Sequence, residues 1–544
     1  MRTVGAAFRR MDRRDFVGRS CKLLAGAACS VLFSSCSDFI EELPCLGPAP
    51  PPQPVAGMSY IWASKIGCAL DCDLRTGGNK NSGGKATDDA PRINAAMAAA
   101  SATNPITLII DGPALISGLF LPAGGYWNIA GLGCGTGFFV KTGTNNDGIH
   151  NGGPGATEPS SPGPNVPPRG SSVSLQNFTI NGNQGNGHDG DSTTGTTQGS
   201  PVWHFAINLM NLNNIEVENV VVVNSPSFQI TFSNVGNVNV SGCVLRSQGP
   251  NTDGLHFDGP ANDITISNCN ITSGDDSIAL NCPEGYGGNI SRVNVTNCQF
   301  NSGSFLMRLH PINDSNYVPK FNIDTVSVSN CSGICAFAGF LVGHGAPAAP
   351  NAIDGLTISN CSLSAPAILE IGANFGGVSI ENVTLTPSYS SQVPGFAFAR
   401  SSAYSIGYSY IGTSLTITNC IVQRNDGSSV PLFDIENGSS LASLVVNGYT
   451  ASSTSASNTK IPMLINVGAG SIGQVAIDSV DSAHIAGPVS PGGFLSITSV
   501  SGTGVLATGW EFPDNVMADN VPYISATTGL PSIKIDGVVE PYTP

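Results

Sequence analysis

Three carboxylates stand in two short clusters of this 544-residue chain: Asp253 in NTDG (251–254), and the adjacent Asp275 and Asp276 in GDD (274–276). Carboxylates held this close cannot all ionise cheaply, so at least one is expected to keep its proton at a higher pH than usual. A protonated carboxyl beside an ionised one is the equipment of general acid–base chemistry at a glycosidic bond. Asp-Asp and Asp-Gly are also common turn residues, and GDD alone would be read that way. The second cluster, one repeat away, shifts the reading towards chemistry.

What must position these groups is a repeat. From residue 173 onward a phrase returns in which apolar residues alternate with others and end in Asn, then Cys or another apolar residue. It reads VSLQNF (173–178), IEVENV (215–220), VNVSGC (238–243), ITISNC (264–269), VNVTNC (293–298), VSVSNC (326–331), LTISNC (356–361), VSIENV (378–383) and LTITNC (415–420). LVVNGY (444–449) is a weaker copy. Period-two alternation makes each phrase a β-strand with one buried face, and the spacing is that of a solenoid with one coil per repeat. No coil can bury its inner face alone, so coils must stack. The fold class expected is all-β, a right-handed parallel β-helix of about ten coils, roughly 50 Å long at ~4.8 Å per coil. The repeated Asn falls at a turn, where its amide can bond its counterparts above and below. A β-sandwich would not need the same phrase at every coil.

Aligning coils on the Asn-Cys step places Asp253 and Asp276 at equivalent positions of adjacent coils. Leu255, Phe257, Ile278 and Leu280 then point inward, while His256, Ala279 and Arg308 share an outward column and Asn281 and His310 the next. Asp253, Asp275, Asp276, His256, Arg308 and His310 are therefore expected to converge on one exposed face. Asp253, Asp275 and Asp276 are the candidate catalytic residues, and Asn251, His256, Arg308 and His310 the candidate substrate-binding ones. Trp203, Tyr286 and Tyr317 stand near loop edges, where rings can stack on sugars; local packing is an equal reading of each.

NTDG followed by GDD at this spacing, within a β-helix pattern, resembles the polygalacturonase family, glycoside hydrolase family 28. The resemblance covers about residues 170–480 and implies an inverting glycosidase acting on pectin. It implies Asp276 as general acid, with Asp253 and Asp275 holding the attacking water, and carboxyl separations of roughly 6.5–9.5 Å. The chain departs from the family pattern at four places. Ser277 replaces the usual Cys after the Asp pair, and Gly303-Ser304-Phe305 stands where Gly-His-Gly should fall. A Gly-His-Gly at 343–345 comes a coil later, and the Arg-x-Lys pair that grips a uronate has no counterpart. Arg308 and Lys320 are the cations left to replace it. The remaining alternatives are a polysaccharide lyase on the same scaffold and a non-catalytic glycan-binding surface protein.

Composition supports this frame. Charged residues are only 11%, Gly numbers 66, and apolar residues reach 41%, which suits many short strands and turns rather than disorder. Seven of the 22 Lys and Arg lie in residues 1–22, leaving 15 basic against 35 acidic residues beyond residue 36. Nucleic acid is not an expected partner, because neutralising a phosphate backbone needs clustered cations. A polysaccharide substrate and a monomeric chain are expected, with no cofactor and no metal site in the cysteine spacings.

Five segments are expected. Residues 1–36 resemble a twin-arginine export signal, with Arg13 and Arg14 before the apolar LLAGAACSVLF (23–33), and Cys36 is a candidate lipidation site that would anchor the chain to a membrane. Residues 37–57 form a Pro-rich linker, 58–170 an N-terminal cap with first strands and a long loop, 171–480 the β-helix with the active site, and 481–544 C-terminal strands and cap. A helix is expected within 83–101, capped by Thr87 or Asp88 with Pro91 in its first turn and an apolar stripe of Ile93, Ala96, Met97 and Ala100. Cys243, Cys269, Cys298, Cys331, Cys361 and Cys420 occupy one repeat position and are expected as an inward column of free thiols. Cys68 and Cys72 are the disulfide candidates.

Overall fold

The computed structural model describes residues 47–144, 146–153, 166–184, 204–311, 321–343 and 352–388, with shorter stretches, chiefly strands, between 398 and 540. The export signal, Cys36, Trp203, Tyr317, Lys320 and His344 lie outside the described residues.

Each coil contributes up to three short strands, and each strand pairs in parallel with its equivalents on the coils before and after. At the centre, Leu255–Ser267 pairs with Ile230–Ser241 on one side and with both Ile278–Asn281 and Ile290–Thr296 on the other. Followed through its partners, the stack containing the repeated phrases runs from Ser59–Trp62 to Ile533–Ile535. The parallel β-helix is thus confirmed, and it is longer than the repeat count implied. Strands such as Val500–Thr508 join the parallel stack without the Asn-Cys phrase, and Val538–Glu540 turns back antiparallel.

The interior is one continuous apolar column. Leu255, Phe257, Ile278, Leu280, Met307 and Leu309 belong to it, as the inward phase required, and Phe232 stacks on Phe257 at 4.6 Å between ring centroids. The repeated Asn has a conformational role as well as a bonding one. Asn177, Asn219, Asn268, Asn297, Asn330, Asn360, Asn382 and Asn419 all take positive φ, between 50° and 59°. Asn tolerates this left-handed turn better than other side-chain-bearing residues. The ladder expected between amides is recorded at Asn219 to Asn177 and Asn382 to Asn360, both 3.2 Å.

The helix spans Ala90–Met97, with Pro91 in its first turn. The N-cap is Asp89, without a side-chain bond, and not the expected Thr87 or Asp88; Asp88 accepts the Ala90 N–H at 3.2 Å from one residue further out, and Thr87 bonds Asp71. Ile93 and Met97 enter the main core, and Asn94 bonds Gly118 and Phe120 of the first coils. Among the described residues no helix is long and apolar enough to cross a membrane.

The six column cysteines are free and buried. Cys68 and Cys72, the expected disulfide candidates, are both free and buried in different packing groups. Cys68 joins the main core, whereas Cys72 packs with Leu74, Leu115 and Phe139. Cys134 is disulfide-bonded instead. Burial, with nearby carboxylates adding, pushes the thiols of Cys68 and Cys72 up to about 12, and burial pushes that of Cys420 up to about 11. The ten buried thiols of the described residues are therefore expected to resist an aromatic disulfide reagent at pH 8 in the folded protein and to react once it unfolds, since thiolate is the reactive form. Rapid labelling of any of these ten thiols in the native chain, located by peptide mapping, would contradict this packing.

Candidate functional site

The register confirms the coil alignment residue by residue. His256, Ala279 and Arg308 are successive partners in one column, and Asp258, Asn281 and His310 form the next. Asp253 and Asp276 are likewise equivalent: the Gly254 N–H donates to the Asp276 carbonyl, and the Asp276 N–H donates to Asp253 Oδ1 at 3.2 Å. The Phe305 N–H in turn donates to Asp276 Oδ1 at 3.3 Å. Each carboxylate thus accepts the amide of the next coil, which fixes its direction.

Serines and a threonine hold the turns. Gly274 N–H donates to Thr252 Oγ1 at 2.9 Å, tying NTDG to GDD directly. The hydroxyls of Ser273 and Ser302 both donate to the Asp275 carbonyl, at 3.0 and 2.8 Å. Ser277, which departs from the family's Cys, shares a 3.0 Å hydrogen bond with Ser273.

Oxygens of Asp253, Asp275 and Asp276 lie within 4.8 Å of one another. Arg308 Nη1 pairs with Asp276 Oδ2 at 3.2 Å. This commits one end of the guanidinium to a protein carboxylate, where the sequence had offered it to the sugar. Asp253 Oδ2 takes the other well-formed contact, 2.7 Å from His256 Nδ1. On its far side His256 Nε2 is 3.1 Å from Asp258 Oδ1 and 3.2 Å from Glu284 Oε2. Phe228 stacks flat on the imidazole at 3.7 Å. Burial opposes charging His256, but the charge of Asp258 and the bonds to Asp253, Asp258 and Glu284 prevail, holding its pKa well above the usual histidine value.

The expectation of an exposed face needs correction. The columns do point outward from the coil, yet Asp253, Asp276, His256 and His310 are fully buried and Arg308 is 5% exposed. Charged groups this close satisfy one another, and neighbouring rings and turns cover them. Phe228 covers the imidazole, and Phe305, Phe337, Ala338, Leu341 and Ala367 form a separate apolar cluster beside Asp276. Asp275 reaches furthest towards solvent of the three carboxylates, at 9%. Asn251 shapes its turn, with φ of 57° and its carbonyl accepting from Ser227 Oγ at 3.2 Å. The Tyr286 hydroxyl is bonded by Asn211 at 2.8 Å, which ties that ring to local packing.

Asp258, Glu284 and Phe228 were not foreseen. Asp258 was legible, since it follows His256 at the same outward phase of LHFDG. Glu284 sits in the turn PEGYGG and Phe228 just ahead of a strand, where no periodicity reports a side chain's direction.

Residues 163–334 match the family model for Glycosyl hydrolases family 28. A curated exopolygalacturonase of Arabidopsis thaliana, clone GBGE184, is 26% identical over 131 residues, 24% of this chain and 29% of that protein, so the chain aligns with under a third of that relative's length. Among solved structures, an exopolygalacturonase from Thermotoga maritima superposes with a TM-score of 0.50 at 12% identity, covering 74% of this chain and 94% of that one. A tailspike protein mutant of E. coli bacteriophage HK620, in complex with a pentasaccharide, gives 0.57 at 10% identity, covering 88% and 78%. At such identities these two speak for the right-handed parallel β-helix alone. Through residues 163–334, which contain all three carboxylates and Arg308, this chain is similar to the glycosyl hydrolases of family 28.

Proposed function

We propose that this chain is a polygalacturonase-like glycoside hydrolase that cleaves a pectin-related polysaccharide by acid–base catalysis, exported through its twin-arginine-type segment. The observation that carries this is the convergence of Asp253, Asp275 and Asp276 within 4.8 Å on adjacent coils of the family-matched segment.

The surroundings assign the roles. Arg308 and the Phe305 N–H favour ionised Asp276. His256 and the Asp276 N–H hold Asp253 in place. Asp275 is the most open of the three, at 9% exposed, and so the best placed to meet a leaving group. We therefore place the proton donor at Asp275, with Asp253 and Asp276 activating water, which reverses the roles of the pair implied by the family resemblance. The oxygens lie closer than the roughly 6.5–9.5 Å usual for inversion. Distance alone would favour a covalent route. A nucleophile, however, would have to abandon the bonds that hold Asp253 or Asp276, so we retain the inverting route through water.

The test is reducing-end release from polygalacturonate, with the anomer of the first product followed by NMR. Inverted product is expected. An ultraviolet-absorbing unsaturated product would establish a lyase instead, and tight glycan binding with no product would leave a binding protein. Asp275→Asn is expected to slow polymer cleavage by roughly 10²–10⁴-fold while sparing an aryl glycoside whose leaving group needs no proton. Equal losses on both substrates would remove Asp275 from the donor role.

A further inference from the structure

Behind the catalytic carboxylates lies a second cluster with its own geometry. His256 Nε2 stands 3.1 Å from Asp258 Oδ1 and 3.2 Å from Glu284 Oε2, and the ligating atoms of all three residues lie within 4.8 Å of one another. A single imidazole N–H cannot point at both carboxylates. Ligands at about 2.1 Å around one metal ion stand about 3.0–3.4 Å apart in octahedral or tetrahedral geometry. Both Nε2 distances fall in that range.

Asn281 supplies an independent observation. It is fully buried, and its side-chain carbonyl has no hydrogen-bond partner. The other end of the same amide, Nδ2, lies 3.4 Å from His256 Nε2. A half-turn of the amide exchanges its ends, which X–H geometry alone does not distinguish. That turn presents the carbonyl oxygen among the other three donors. On the opposite side of the ring, Asp253 Oδ2 holds Nδ1 at 2.7 Å. A carboxylate on one imidazole nitrogen, with the other nitrogen turned towards further donors, is the arrangement that orients a metal-binding histidine.

We propose that His256 Nε2, Asp258, Glu284 and the Asn281 carbonyl form a binding site for a divalent cation of the Mn²⁺ or Zn²⁺ class. Mixed nitrogen and oxygen donors suit these ions better than Mg²⁺. The site stands apart from the three catalytic aspartates but touches them through one bond, since fixing the imidazole fixes Asp253 Oδ2. Its existence does not depend on the hydrolase reading.

The experiment uses the full chain, stripped with a chelator and dialysed, then titrated with MnCl₂ and with ZnCl₂ by calorimetry and followed by thermal unfolding. One ion per chain and a raised Tm are expected. Glu284→Gln, at a side chain 26% exposed and so safe for folding, should weaken binding by at least roughly tenfold. Asp258→Asn should do the same, whereas Asp275→Asn should leave it unchanged. Absence of binding at millimolar Mn²⁺ and Zn²⁺ would overturn the proposal. So would binding that survives Glu284→Gln, or that is lost in Asp275→Asn, which would move the ion to the catalytic carboxylates.

Discussion

Asp276→Asn is expected to lower the rate of polymer cleavage by roughly 10²–10⁴-fold, the usual worth of a positioned acid–base group. The amide keeps the shape of the side chain and can still accept the Phe305 N–H. It loses the charge that polarises a bound water. It also strands Arg308, whose guanidinium is 5% exposed and pairs with Asp276 at 3.2 Å. Removing one partner of a buried pair costs about 3–5 kcal/mol, because the other charge is left uncompensated. The single variant should therefore show both a lower Tm and a lower rate. The double variant Asp276→Asn with Arg308→Gln separates the two effects. It removes the stranded charge, so Tm should recover in part while the rate stays low. Circular dichroism melts and initial rates of reducing-end release give the two readings. A single variant within tenfold of the parent rate would take Asp276 out of the chemistry.

The fold was legible because one physical demand repeats. Every coil must bury the same face, so ITISNC and its copies had to recur in phase, and the phase named Leu255, Phe257, Ile278 and Leu280 as inward residues correctly. Register follows from the same phrase, which is why the sequence alone matches Asp253 and Asp276 across a coil. Periodicity says which way a side chain points, however, and not what covers it. His256, Arg308 and His310 point outward yet are buried, since neighbouring rings and turns close over them. Glu284 reaches His256 from a turn, where no period applies. The cysteine column was legible for the same reason as the core, whereas Cys68 and Cys72 lie outside the repeat, where no period reports their surroundings. They end in separate packing groups.

The clearest test of how the scaffold governs the site is a residue with no side chain. A Cβ at Gly274 would overlap the backbone carbonyl and nitrogen of Gly249 on the preceding coil. A Cβ at Gly303, on the following coil, would overlap the carbonyl of Gly274 in the same way. The coils thus approach through bare backbone immediately before Asp275. Backbone cannot rotate aside as a flexible side chain can, so Gly274→Ala must displace the GDD turn itself. Overpacking of this kind costs about 1–3 kcal/mol. The larger effect is on rate, since a catalytic group moved by ~1 Å can lose ~10²-fold. Gly274→Ala should therefore remain folded, with a modestly lowered Tm, and lose roughly 10²-fold in kcat with a smaller change in KM. Gly84→Ala is the matched control. It lies in the N-terminal segment, its Cβ would meet nothing nearer than Ser82 Oγ at 3.4 Å, and it should behave as the parent in both assays. Full activity in Gly274→Ala would mean that the turn can relax without moving Asp275 and Asp276. The close coil contact would then be a matter of packing and not of positioning.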